Sequence, residues 1–176
     1  SKGHDLIINA FSDLKKSGYN LRLKIIGGVI QDYHQKYLES LKKLISDLKI
    51  DEAVEFSGPV SYEKMPEYLT NSEILVNAVP FGGLDKVVLE AMASGVIPLT
   101  SNSAFLSVFP QEISADLVFN PSVDGGDIED FKSKLKNILD KKFYENNNLR
   151  QELRDIVVKN HNLDNLIERI FKEISR

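Results

Sequence analysis

Residues 74–100, ILVNAVPFGGLDKVVLEAMASGVIPLT, carry the pattern on which the fold turns. Ile74 to Ala78 (ILVNA) is a β-rich run. Asp85 to Ser94 (DKVVLEAMAS) reads as a helix closed by Gly95, a residue type that ends helices in a left-handed turn. Val96 to Thr100 (VIPLT) is β-rich again and follows directly. Strand, glycine-containing loop, helix and strand in that order make a βαβ unit, whose strands run parallel. Pro98 weakens the second strand, because a central strand rarely tolerates a residue without an N–H.

The same alternation extends in both directions. Leu6, Ile7, Ala10, Phe11 and Leu14 fall at helical spacing over residues 5–16, with Gly18 as the stop. Leu21 to Ile26 (LRLKII) is a strand ended by Gly27-Gly28. Tyr33, Tyr37, Leu38, Leu41, Leu44, Ile45 and Leu48 return to helical period. Val54-Glu55-Phe56 is a short strand ending at Gly58-Pro59; Ser61 is placed to cap a helical turn and Pro66 to begin a second one. Beyond Thr100, Leu117 to Phe119 is a weak strand and Asn120 to Asp127 is rich in turn residues. Phe131, Leu135, Ile138 and Leu139 mark a helix, and Leu163, Leu166, Ile167, Ile170, Phe171 and Ile174 form the apolar face of a last one.

Strands alternating with helices predict a doubly wound parallel α/β sheet, with ligands bound at the carboxyl ends of the strands. The loops to inspect are Gly27–Gln31, Gly58–Glu63, Val79–Lys86 and Ser101–Phe105. A doubly wound domain begins with a strand, and here none precedes the first helix, so the first strand is expected to be missing. The chain reads as one domain over residues 1–176, with C-terminal helices from about residue 127 on.

Composition narrows the function classes. The 176 residues are 42% hydrophobic and 27% charged, an ordinary globular balance. A formal charge of −4 with no long like-charge block disfavours a nucleic-acid partner. With no cysteine, thiolate metal sites and disulfides are excluded, and the composition fits a reducing compartment, the cytoplasm by default. His4, His34 and His161 are scattered without ligand spacing, and no metal site is expected. No run approaches the roughly 20 apolar residues of a membrane span, and no membrane contact is indicated in this part.

The chemistry concentrates at residues 81–90, FGGLDKVVLE. A loop that follows a strand and opens a helix presents free backbone N–H groups and the positive end of the helix dipole to an anion, and Gly82 and Gly83 allow close approach. Glu90, within the first two turns, is a carboxylate able to accept two hydroxyl hydrogen bonds from a sugar. The plainer alternative stays open: Gly82-Gly83 as a mere turn, Asp85 as a helix cap and Glu90 as a solvated charge.

Leu89-Glu90-Ala91-Met92-Ala93-Ser94-Gly95 with Pro98 beyond it resembles the donor-site signature of the family 4 glycosyltransferases, the group 1 glycosyl transferases of the GT-B fold. Lys2-Gly3-His4-Asp5 is similar to that family's Lys-Gly box, Ile25-Ile26-Gly27-Gly28 to its strand-to-glycine turn, and residues 54–60 (VEFSGPV) to its strand before the base-binding loop. The resemblance covers about residues 1–125. It implies the Rossmann-like C-terminal half of a GT-B enzyme, with the N-terminal acceptor domain absent from this chain.

The resemblance further implies that Lys2 neutralises the donor diphosphate, that Glu90 holds the nucleotide ribose, and that Val60 and Met65 lie along the base. Gly27 and Gly28 would flank the donor, and the amides of Leu84, Asp85, Lys86 and Val87 would face the diphosphate and sugar. Lys2 as an exposed terminal lysine, Val60 and Met65 as core or loop residues, and Lys86 pointing to solvent are the alternatives. The family motif carries a glutamate where this chain has Gly82, so Asp85 becomes the candidate for the lost sugar contact, and the catalytic candidates are Asp85 and Glu90.

The implied activity is a hexosyltransferase that moves sugar from a nucleoside-diphosphate sugar such as a UDP- or GDP-sugar to an unknown acceptor, in polysaccharide or glycolipid synthesis. Anomeric configuration is expected to be retained. With no Asp-x-Asp in the sequence, transfer is expected to need no metal, and no cofactor beyond the substrate is implied. The chain alone is not expected to turn over. A catalytically silent nucleotide- or protein-binding module is the alternative from another class, supported by Gly82; an epimerase on the same fold is disfavoured by the Lys-Gly box.

Overall fold

The computed structural model describes residues 3–28, 32–79, 82–120 and 127–161. The elements run α1 (His4–Lys16), β1 (Leu23–Ile26), α2 (Asp32–Asp47), β2 (Val54–Gly58), α3 (Met65–Thr70), β3 (Ile74–Asn77), α4 (Lys86–Ala93), β4 (Ile97–Thr100), α5 (Ser114–Leu117), α6 (Ile128–Asp140) and α7 (Asn147–Asn160). Short 3₁₀ turns lie at Asp51–Ala53, Tyr62–Lys64, Ser103–Ser107 and Phe143–Glu145.

Among the described residues every strand pairing is parallel, as the alternation of strands and helices requires. Leu23 lies opposite Val54 and Ile25 opposite Phe56; a bulge after Ile25 then sets Ile26 opposite Gly58. β3 and β4 pair in unbroken register from Ile74 opposite Ile97 to Asn77 opposite Thr100. One continuous sheet was the expectation; among the described residues the strands form two separate pairs.

The other differences are local. The first strand starts at Leu23 rather than Leu21, and Leu117 closes α5, leaving among the described residues a single parallel bridge between Thr100 and Val118. That single bridge explains how Pro98 is accommodated: the far side of β4 carries no ladder for its missing N–H to interrupt. The expected last helix over Leu163 to Ile174 and the turn residues 121–126 lie outside the described residues.

α1 contributes to two apolar clusters, one on each side. Its Leu6, Ile7, Ala10 and Leu14 enter the main cluster with Val88 and Met92 of α4, Ile97 and Leu99 of β4, Phe131, Leu135 and Ile138 of α6, and Leu149 and Leu153 of α7. Its Ile8 and Phe11 enter a second cluster with Leu41 and Ile45 of α2 and with Ile50. One helix with apolar residues at one-, three- and four-residue steps thus presents a stripe wide enough to touch both. The phenolic hydroxyl of Tyr37 on α2 also lies 3.4 Å from Nδ1 of His4, which gives this histidine a structural contact.

The helix boundaries follow from capping chemistry. The Asp127 carboxylate accepts hydrogen bonds from the Glu129 and Asp130 amides at the start of α6, and Asn146 Oδ1 accepts one from the Leu149 amide at the start of α7. α7 is held to the end of α4 by Arg150, whose Nε donates to the Gly95 carbonyl at 2.7 Å. Among the described residues no helix is long and apolar enough to cross a membrane.

Candidate functional site

The four loops singled out in the sequence all leave the carboxyl ends of β1 to β4. The structure brings them together two by two. After β1, the Gly27 amide donates to the Gly58 carbonyl at 3.0 Å, and a Cβ on Gly28 would stand 3.1 Å from Cβ of Pro59. Glycine at 28 therefore lets this loop lie against the loop that carries Val60. After β3, the Asn77 side chain accepts the Val79 amide at 2.9 Å, turning the chain as it leaves the strand.

α4 opens at Lys86 with Asp85 in the N-cap position. Its first backbone bonds run from the Val88 and Leu89 amides to the Asp85 carbonyl, at 3.1 and 3.2 Å. The Lys86 and Val87 amides come before these bonds, and among the described residues no side-chain cap is made at this end of the helix. The structure therefore corrects the capping alternative for Asp85, whose carboxylate instead accepts a hydrogen bond from Asn102 Nδ2 at 3.1 Å.

Asn102 was missed in the sequence. It sits just past the end of β4 with only 2% of its surface exposed. Its Nδ2 also donates to the Gly83 carbonyl at 2.9 Å, while its Oδ1 accepts the Ala104 amide at 3.0 Å and caps the 3₁₀ turn at Ser103–Ser107. One side chain thus fastens the glycine loop, Asp85 and the turn after β4. The Ser101–Phe105 loop was on the list of strand ends, but the residue type alone carried no signal for this role.

Glu90 lies one turn into α4. It is half-buried, while Val88, Ala91 and Met92 of the same helix are fully buried. Among the described residues its carboxylate has no hydrogen-bond or ion-pair partner, so it is available to a ligand. Lys86 is exposed, whereas the side chains of Leu84 and Val87 are partly buried and pack at the edge of the main core.

Met65 packs against the cluster of Leu69, Ala91 and Val96. Its side chain therefore serves the packing of α3 on α4, the core alternative left open above, and brings the loop of Val60 towards the helix of Glu90. Within that loop Ser61 precedes the 3₁₀ turn at Tyr62–Lys64 but caps nothing through its side chain. A backbone hydrogen bond and the Ser61 hydroxyl instead hold the Glu63 carboxyl below the usual carboxylate range. Lys2 lies outside the described residues.

Gly82 has φ of +133°, a backbone conformation that L residues rarely adopt, although a Cβ there would meet nothing within 4 Å. The missing motif glutamate is therefore absent for a backbone reason as well as a sequence one. Gly82→Glu is expected to lower stability by about 1–2 kcal/mol through strain without recovering a sugar contact; urea midpoints check this, and an unchanged midpoint with a tighter donor would contradict it.

The glycosyl transferases group 1 model matches residues 1–162. The chain belongs to this family. Among curated relatives of the family, GDP-Man:Man(3)GlcNAc(2)-PP-Dol alpha-1,2-mannosyltransferase of Eremothecium gossypii is 37% identical over 106 residues, which are 58% of this chain and 18% of that protein. Protein CapJ of Staphylococcus aureus is 26% identical over 172 residues, 96% of this chain and 39% of the relative. This group 1 chain thus spans from under a fifth to about two fifths of these relatives.

Solved structures agree on the fold. Anabaena HepE in complex with UDP superimposes with a TM-score of 0.80 at 13% identity, over 99% of this chain and 45% of that one. The C-terminal domain of a glycosyl transferase group 1 protein from Francisella tularensis gives 0.76 at 18% identity, over 92% and 80%. The group 1 domain described here is a Rossmann-like GT-B domain, as the sequence resemblance implied.

Proposed function

We propose that this group 1 domain is the donor half of a hexosyltransferase that takes sugar from a nucleoside-diphosphate sugar. The observation that carries the reading is the start of α4: a helix N-terminus at the end of a parallel strand, reached through two glycines, with no side-chain cap and with the Glu90 carboxylate one turn on. Uncapped amides and the helix dipole favour a diphosphate, and a partnerless half-buried carboxylate favours sugar hydroxyls. The names of the relatives, several of them GDP-mannose-dependent mannosyltransferases, and the UDP in HepE support a nucleotide sugar and leave the base between guanine and uracil.

In this reading Glu90 holds the ribose, Val60 and the backbone around Met65 lie along the base, and Gly27, Gly28, Gly82 and Gly83 give the donor close access to the backbone. The amides of Leu84 to Val87 together with Lys2 stabilise the diphosphate. As the bond from the anomeric carbon to the phosphate oxygen breaks, the electron pair stays on the diphosphate. The Lys2 ammonium and the α4 amides balance the growing negative charge in place of a metal ion. Asp85 faces the donor sugar. A second α/β domain supplies the acceptor and its base, and the reaction runs in the cytoplasm with retention at the anomeric carbon.

The test is transfer by the enzyme that carries this domain, run with a strong chelator and read by proton NMR of the new glycosidic bond. Activity should persist with the donor's anomeric configuration kept; inversion, or activity abolished by the chelator and restored by a divalent ion, would overturn that part. Gly82 in place of the motif glutamate favours a second reading, a nucleotide-binding module without transfer, which predicts nucleotide binding with no product under any condition.

A further inference from the structure

The amide of Asn102 has one orientation only. Oδ1 faces the Ala104 N–H, and Nδ2 faces two acceptors, the Gly83 carbonyl and the Asp85 carboxylate, so flipping it would break all three bonds. Its partner Asp85 occupies the N-cap of α4 with φ −67° and ψ 124°, the extended backbone from which an aspartate normally accepts an amide of its own helix. Asp85 does not do so. Its carboxylate is turned to Asn102 instead, and the Lys86 and Val87 amides are left without a cap.

We propose that Asn102 is a positioning residue that holds the Asp85 carboxylate off the N-terminus of α4, keeping the first amides of that helix available to the donor diphosphate. The inference rests on the donor-site reading and adds a competition to it. An aspartate at an N-cap and a bound diphosphate are rivals for the same N–H groups, and they also repel each other as anions. A chain with Asp85 here and nothing to hold it would cap its own helix and close its own anion site. The pair Asn102 and Asp85, 17 residues apart in sequence, resolves that conflict while keeping the carboxylate close to the donor.

A double-mutant cycle on the full chain, read by calorimetric titration with UDP, GDP and ADP, tests this. Asn102→Ala is expected to weaken the nucleoside diphosphate that binds by about tenfold or more, because the released carboxylate turns back onto the helix. In the Asp85→Ala background the same change should cost about threefold or less, since no carboxylate remains to occupy the amides. Asn102→Asp keeps the acceptor for the Ala104 amide and so the turn after β4, yet loses both donors; it should weaken binding at least as much and be rescued in part by Asp85→Ala, its own added carboxylate remaining, and it serves if Asn102→Ala fails to fold. Wild-type affinity in both Asn102 variants, or a loss that persists undiminished without Asp85, would overturn the proposal and leave the donor site standing. No binding of any nucleoside diphosphate by the folded wild-type chain would instead remove the donor site itself and the proposal with it.

Discussion

Glu90→Ala is expected to weaken nucleoside diphosphate binding by ~1–3 kcal/mol, a loss of about 5- to 150-fold, with little change in thermal stability. Two effects oppose each other. Removing a carboxylate near a diphosphate relieves repulsion, but at roughly 8–10 Å, a helical turn of about 5.4 Å plus hydrogen-bond reach, two unit charges on the diphosphate make this worth only about 1 kcal/mol in a water-like medium. Losing one or two charge-assisted hydrogen bonds to ribose outweighs it. The sign is therefore diagnostic: a solvated Glu90 would give unchanged or slightly tighter binding, a ribose ligand clearly weaker binding. Glu90 belongs to the half-buried part of α4, away from the packed Val88, Ala91 and Met92, so the fold should survive the change.

Phe131→Ala should have the largest effect on stability, about 3–5 kcal/mol, read from urea unfolding midpoints. Phe131 is fully buried in α6, its ring centroid 5.0 Å from that of Phe119, in the cluster that joins α1, α4, β4, α6 and α7. Truncation leaves a cavity between elements that cannot collapse independently, and against the ~5–15 kcal/mol of a typical domain it removes about a fifth or more. Leu106→Ala is the contrast. That side chain is 47% exposed, and its loss should stay within about 0.5 kcal/mol. Equal effects at the two positions would mean that the packed core is not as described.

What was legible in the sequence was mostly local. The strand at Ile74 and the helix ended by Gly95 follow from residues within one or two turns of each other, and so does the stop at Gly18, with φ of +96°. Placement of the four loops at strand ends follows from the alternation itself. What the sequence hid depends on distant pairings. Pro98 looked foreign to a strand because nothing in its neighbours tells that one side of β4 carries a single bridge. Asp85 looked like a cap because an aspartate before a helix usually is one; only the approach of Asn102, from beyond the next strand, redirects it.

Met65 and Leu84 teach a related lesson about the site. A motif assigns positions to a ligand but does not say which atoms do the work, and packing divides them. Met65 and Leu84 are partly buried and pack their side chains against the core clusters. Glu90 does the reverse: its half-buried carboxylate has no partner among the described residues. In the proposed donor site, base selectivity would rest on the shape of the loop around Val60 rather than on the Met65 side chain, which is packed.

The central claim is that the loop and helix from Gly82 to Glu90 bind a nucleoside diphosphate. Isothermal titration calorimetry of the folded chain with UDP, GDP and ADP tests it most directly. One of the three should bind with a dissociation constant below about 1 mM, and Glu90→Ala should weaken that same nucleotide. A chain that is folded by circular dichroism and binds none of them at that level would contradict the account.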